Sequence, residues 1–96
     1  MNRVDLTACI VEISTLRYSP SGLPVVDLKL AHESTLEDSG ASRKISLMLR
    51  SMAMGHMAEK LIQLQMDTSW EFTGFLASAK NSKSIVFHIQ NFQSVS

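Results

Sequence analysis

A lone cysteine, Cys9, can neither close an internal disulfide nor supply half of a Cys-x-x-Cys site, which removes oxidative staples and thiol-rich metal sites from consideration. Its apolar neighbours mark it as a small buried side chain. No stretch approaches the ~20 apolar residues needed to span a bilayer, and the first residues carry no basic cluster followed by a hydrophobic block. A soluble, cytoplasmic protein without membrane contact is expected. An excess of charge of one sign is missing too: nine Lys and Arg balance nine Asp and Glu, so no net field draws in a polyanion from a distance. This argues against a strong stand-alone binder of nucleic acid. It leaves room for a local basic patch, because affinity for phosphates depends on how many cations reach the backbone together. The 96 residues suffice for one core rather than two, so positions 1–96 are expected to form a single domain.

Catalytic constellations are equally scarce. His32, His56 and His88 fall in separate segments with no HExxH spacing and no Cys partner, so each reads as a surface or partly buried histidine. There is no Gly-rich phosphate loop, and no serine occupies a nucleophile elbow. Glu37 and Asp38 are adjacent in a polar stretch, whereas acid–base work needs opposed carboxyls tuned by their surroundings. No enzymatic activity, no metal and no cofactor are expected, and a hydrolase has little to stand on.

Short alternating runs separated by turn signals are what the chain does contain. Val4, Leu6, Ala8 and Ile10 share one phase and Val11 and Ile13 take the other, which predicts a long first strand over Arg3 to Tyr18 with a bulge near its middle. In "YSPSGLPVVDLKLAHES", Pro20 presets the dihedral of a turn's second residue and Gly22 accepts a positive φ, so the chain turns a hairpin corner there. Pro24, which has no N–H to donate, suits the start or edge of a second strand in which Val26, Leu28 and Leu30 face inward, running to about Ser34. "TLEDSGAS" predicts a hairpin loop, and Ile45, Leu47 and Leu49 a third strand.

"SMAMGHMAEKLIQLQ" changes period: Met54, Met57, Ala58, Leu61, Ile62 and Gln65 recur at three- and four-residue spacings, predicting one short helix with Ser51 as its N-cap. Trp70, Phe72, Gly74 and Leu76 then mark a fourth strand, "SAKNSKS" a basic turn, and Ile85, Phe87 and Ile89 a fifth. This order predicts an all-β, five-stranded OB-fold barrel with one short helix between the third and fourth strands, since so small a domain cannot cover both faces of an open sheet.

Such a barrel offers a groove for single strands. Lys80 and Lys83 sit on the basic turn, and Arg43 and Lys44 flank the third strand, so two basic pairs are candidates for one face. Solubility alone also explains lysines at hairpin tips. Stacking aromatics are few: Trp70, Phe72 and Phe87 share the core phase, leaving Tyr18, Phe75 and Phe92 as candidate exposed rings. Methionines on the helix read as core filling.

The stretches "SPSGLPVVDLKLAHES", "EDSGASRK" and "AKNSKSIVFH" together resemble the primosomal replication protein N (PriB) family, in register over nearly the whole chain. The corner followed by a strand ending in His-x-Ser is the most specific part. The resemblance implies a homodimeric OB-fold related to bacterial single-stranded DNA-binding protein. It implies a role in replication restart, holding single-stranded DNA at a stalled fork and bridging the PriA helicase to later primosome proteins, without catalysis. Lys80, Lys83 and Arg43 match basic positions of that family, while Tyr18, Lys44 and Arg50 are candidates by position alone. The chain departs from the pattern at Ala41 and Ser46, where strongly DNA-binding relatives carry aromatics, and at Glu33, where a basic residue has become acidic. Those departures keep a second reading open, a protein-interaction module with weak or vestigial DNA binding. An edge strand, the long first one, is the expected dimer contact.

Overall fold

The computed structural model describes residues 1–95. Its elements are β1 (Val4–Ile13), β2 (Arg17–Tyr18), β3 (Pro24–Asp38), β4 (Ala41–Met54), α1 (His56–Leu61), β5 (Ser69–Ser78) and β6 (Ile85–Ser94). The strands are ordered β1-β5-β6-β4-β3-β2, and an additional β1–β3 pairing closes β1, β5, β6, β4 and β3 into a five-stranded barrel. All ladders are antiparallel except β4–β6, where Ser51 faces Phe87 and Met52 faces His88.

Closure depends on β1 serving two neighbours. Its first half, Val4 to Cys9, pairs with β5, and its second half, Cys9 to Ile13, pairs with β3. The change of partner needs a sharp bend, and the bulge supplies it: the register slips between Ile10 and Glu12, leaving Val11 as the extra residue where the sequence changes phase. The predicted long strand nevertheless stops at Ile13. Ser14 exchanges bonds with Asp27, its N–H donating to Asp27 O at 2.8 Å and its Oγ accepting from Asp27 N at 2.9 Å, and the chain resumes as the separate strand β2.

That extra two-residue strand adds one to the count of strands before the helix. The helix lies between β4 and β5, not between the third and fourth strands as expected. The corner after β2 forms as its residues require. Gly22 N donates to Ser19 O at 2.8 Å with Pro20 as the turn's second residue, and Gly22 has φ 89°.

Two further expectations are corrected. "TLEDSGAS" does turn a hairpin, but only Ser39 and Gly40 form the loop, at φ 54° and 80°, which matches the two-residue hairpin turn whose twist suits flanking strands. The other six residues extend β3 and β4 into an arm, and the longest dimension of the molecule reaches 51 Å. Ser51 does not cap the helix. It is a buried residue of β4 whose hydroxyl donates to Leu49 O at 3.1 Å, while Gly55, at φ 70°, holds the N-cap position.

The core assembles from the inward phases of the five barrel strands: Ala8 and Ile10, Val26, Leu28 and Leu30, Ala53, Phe72, and Phe87 and Ile89, with Ala58 and Leu61 of α1 plugging one end. Gly74 sits on β5 close against the backbone of β6. A Cβ there would run into the His88 carbonyl and press on the Phe87 ring. Cys9 and Trp70, both expected in the core, are half-buried. Leu47, in the inward phase of β4, is 38% exposed, because the arm has left the barrel and no opposing layer covers it.

Candidate nucleic-acid interface

The outer face of the barrel is built by the residues that alternate with the core. On β4 these are Met48, Arg50, Met52 and Met54, and on β3 their cross-strand partners are Ala31, Lys29, Asp27 and Val25. Asp27, Met52, His88 and Phe75 are successive partners from β3 through β4 and β6 to β5, forming one row across the sheet. The turn between β5 and β6 curls over this row, closed by Ala79 N donating to Ser84 O at 2.8 Å and Ser82 N to Ala79 O at 3.1 Å. Between turn and sheet lies a groove of about 430 Å³ whose walls include Arg17, Asp27, Arg50, Met52, Lys80 and His88.

Two of the six candidate residues, Arg50 and Lys80, therefore meet in one groove. Neither is in an ion pair among the described residues. Lys83 lies exposed in the same turn but does not line the groove. Tyr18 is 67% exposed on β2, next to the groove residue Arg17. Arg43 and Lys44 are elsewhere. Arg43 and Arg50 are seven positions apart along β4, roughly 23 Å of extended strand. On the arm each cation is matched by an acid of β3: Arg43 Nη1 lies 3.1 Å from Asp38 and Lys44 Nζ 3.9 Å from Glu33. Arg43 and Lys44 therefore do not line the groove that holds Arg50 and Lys80.

Arg17 is the groove cation that the sequence did not single out. Its guanidinium takes Asp27 bidentately, Nε donating to Oδ2 and Nη2 to Oδ1, each at 3.2 Å, which balances part of its charge. The signal available was the "RYSPSG" corner itself, since a strand ending there must pair beside the Asp27 strand. His88 and Phe75 were also passed over as a unit. Their rings stack at a centroid distance of 4.8 Å and 12° between planes.

The remaining aromatics are committed elsewhere. Phe92 packs edge-to-face with Trp70 at 5.4 Å and 90°, so of the three rings expected at the surface Tyr18 alone is widely exposed. The His-x-Ser motif has a structural duty. His32 Nδ1 donates to Thr7 O at 2.6 Å and His32 Nε2 bonds Ser34 Oγ at 2.8 Å, tying β3 to β1 just where the two strands part. Among the described residues no group of three or more His, Cys, Asp or Glu is arranged to hold a metal ion.

A family model described as another single-strand binding protein family matches residues 2–91. The chain is 35% identical over 91 residues to the replication restart protein PriB of Bordetella pertussis, covering 94% of this chain and 85% of the relative. It is 34% identical over 93 residues to the PriB of Neisseria meningitidis serogroup B, covering 96% and 92%. Among solved structures, PriB from Ralstonia solanacearum superposes with a TM-score of 0.90 at 30% identity, covering 98% of this chain and 97% of that one. The wild-type single-stranded DNA-binding protein of Thermus aquaticus shares the fold, with a TM-score of 0.77 at 21% identity over all of this chain and 50% of the other.

Proposed function

Because this chain belongs to the PriB family of single-strand binding proteins, we propose that it acts in DNA replication restart as a non-enzymatic, single-stranded DNA-binding accessory protein of the cytoplasm. It holds the strand in the groove under the β5–β6 turn and docks the PriA helicase and later primosome proteins. The observation that carries the proposal is the convergence of Arg17, Arg50 and Lys80 on one groove against a single acid, Asp27. Three guanidinium or ammonium groups on a concave surface meet a phosphate chain well, and each phosphate they neutralise releases counterions and adds to the salt dependence of binding. Lys83, on the same turn, extends the path of the strand. A neutral chain gains most from pairing two such grooves.

A homodimer through β1 supplies that pairing. Among the described residues, Val4 to Ala8 have a strand partner on one side only, so their other edge is available to a second copy. Sedimentation measurements check this; a monomer at working concentrations would remove the dimer from the proposal.

Fluorescence anisotropy with a labelled oligonucleotide tests the groove. Wild type should bind at low salt and weaken as salt rises, and Arg50→Ala with Lys80→Ala should lose most of that binding. A second reading, a protein-contact module with residual DNA affinity, is favoured by the arm, where Asp38 and Glu33 neutralise the cations expected to meet DNA. Absence of DNA binding combined with tight helicase binding would select it.

A further inference from the structure

The outer side of β4 breaks the usual rule of a half-solvated strand. Where alternation normally places polar residues on the solvent face, this one reads Met48, Arg50, Met52, Met54, and Met48 and Met54 are 59% and 50% exposed. Sulfur continues past the end of the strand, for Met52, Met54 and Met57 fall within the short stretch "MAMGHM". Gly55 brings the three together. At φ 70° it turns the chain in one residue from the end of β4 to the start of α1, its N–H donating to Pro24 O at 2.8 Å and its carbonyl accepting from Ala58 N at 3.1 Å. Met57 returns to the side of the sheet that carries Met52 and Met54, and the three border a hollow of about 350 Å³ together with Phe75, His88 and Gln90.

The donors around this hollow are of one chemical kind. No Asp, Glu, Lys or Arg lines it, so it lacks the carboxylates that bind calcium and magnesium. A lone imidazole is too little for zinc, whose sites take three or four thiolate, imidazole or carboxylate ligands. Thioethers are soft, neutral ligands, and among first-row ions they select copper(I). His88 adds a nitrogen. The face of its ring rests on Phe75, which leaves the nitrogens free at the ring's edge. Among the described residues, the histidines held in side-chain hydrogen bonds or ion pairs are His32 and His56.

We propose that this hollow is a binding site for a soft monovalent cation, copper(I) or its analogue silver(I), held by the thioether sulfurs of Met52, Met54 and Met57 with the His88 imidazole as fourth ligand. One ion fills little of the hollow, but methionine side chains are unbranched, with three rotatable bonds, and swing inward around it. Thioethers carry no proton that the metal must displace, unlike thiols. Binding requires no nucleic acid, so the fate of this site and that of the strand-binding groove are decided by separate measurements.

Isothermal titration of silver(I), the redox-stable stand-in for copper(I), into the full chain in chloride-free buffer tests the site. Cys9 is a competing thiol, so Cys9→Ser serves as the reference protein, and it should bind one equivalent of silver(I) while leaving zinc(II) unbound. Leucine keeps roughly the volume of methionine, so Met52→Leu, Met54→Leu and Met57→Leu should stay folded. Each should lose about tenfold or more in silver affinity, the least that removal of even an outer-shell partner costs a metal site. His88→Gln should weaken binding likewise, whereas Met66→Leu, which alters an exposed methionine outside the hollow, should change nothing. No silver binding by the reference protein, zinc bound as tightly as silver, or a loss from Met66→Leu equal to those in the hollow overturns the inference. NMR of the reference protein, isotopically labelled at its methionine methyls, needs no methionine variant. The Met52, Met54 and Met57 signals should shift together at the first equivalent of silver(I), and shifts spread evenly over all the methionines overturn the inference.

Discussion

At the far end of the β3–β4 hairpin, Arg43 and Lys44 each face an acid across the strand pair; at the barrel end, Arg50 faces Lys29, and Lys80 lies across the groove from it. The residue types are the same and their electrostatic fates are opposite. On the arm the acids come from diagonal neighbours, Asp38 being two residues from the partner of Arg43 and Glu33 two from that of Lys44, a spacing that long side chains bridge. At the barrel end the acids are taken: Asp27 holds Arg17, and Glu12 holds Lys29 at 3.4 Å. Pairing register, and not the number of cations, decides which charges are free to meet a ligand.

Four experiments break or sharpen that contrast. The largest effect is expected from Gly74→Ala, which forces a Cβ into the β6 backbone at His88. Overpacking of this kind should cost about 3 kcal/mol or more, read by urea denaturation, and should disturb the barrel end while the arm, paired through β3 and β4 alone, keeps its ladder. Next in size is the comparison of Arg50→Ala with Lys80→Ala against Arg43→Ala with Lys44→Ala. The groove pair should lose at least tenfold in oligonucleotide affinity and lower the slope of log affinity against log salt by about 1.4, two phosphates at about 0.7 each. The arm pair should change either quantity little, and equal losses would erase the distinction.

A smaller, opposite effect is expected when the arm is unmasked. Glu33→Gln with Asp38→Asn frees Lys44 and Arg43, so affinity should rise a few-fold and the salt dependence should steepen in the same titration. Because these ion pairs are exposed, their loss should cost no more than about 1 kcal/mol of stability.

The smallest effect belongs to Asp5, which lies in neither region. Hydrogen bonds from the Arg3 guanidinium, chiefly, and from the Thr73 hydroxyl hold its carboxyl below the ordinary value of 3.8. A depressed folded-state pKa contributes stability above the unfolded value that is lost as pH falls through the folded one. The side chain is exposed, so Asp5→Asn should alter acid denaturation only slightly and only below about pH 4, with oligonucleotide affinity unchanged.

Much of the barrel was legible in the alternation. The change of phase at Ile10 and Val11 marked the bulge, and the Pro20–Gly22 corner marked its turn, because both are local consequences of backbone sterics. The helix start was misread because "SMAM" satisfies two periods at once. Ser51 and Ala53 face the core of a strand, while Met52 and Met54 face out, and helical spacing through Met54 and Met57 fits the same letters. Taking these residues for a helix hid the methionine row and the hollow beside it. The arm was misread for a related reason: Glu37, Asp38 and Ser42 are polar because both faces of an arm meet solvent, which in sequence resembles a loop.

The chain by itself determined which residues alternate, where it turns, and that one helix interrupts the strands, since these follow from side-chain periodicity and from the dihedral limits of proline and glycine. Only the tertiary structure decided which cations are free and which rings share a groove. Arg17, Asp27, Arg50, Lys80 and His88 are distant in sequence and meet through long-range register, closure of β1 onto β3, and the curl of a turn over a sheet. Charge neutralisation and stacking act over a few ångströms, and at that range neighbours are chosen by the fold.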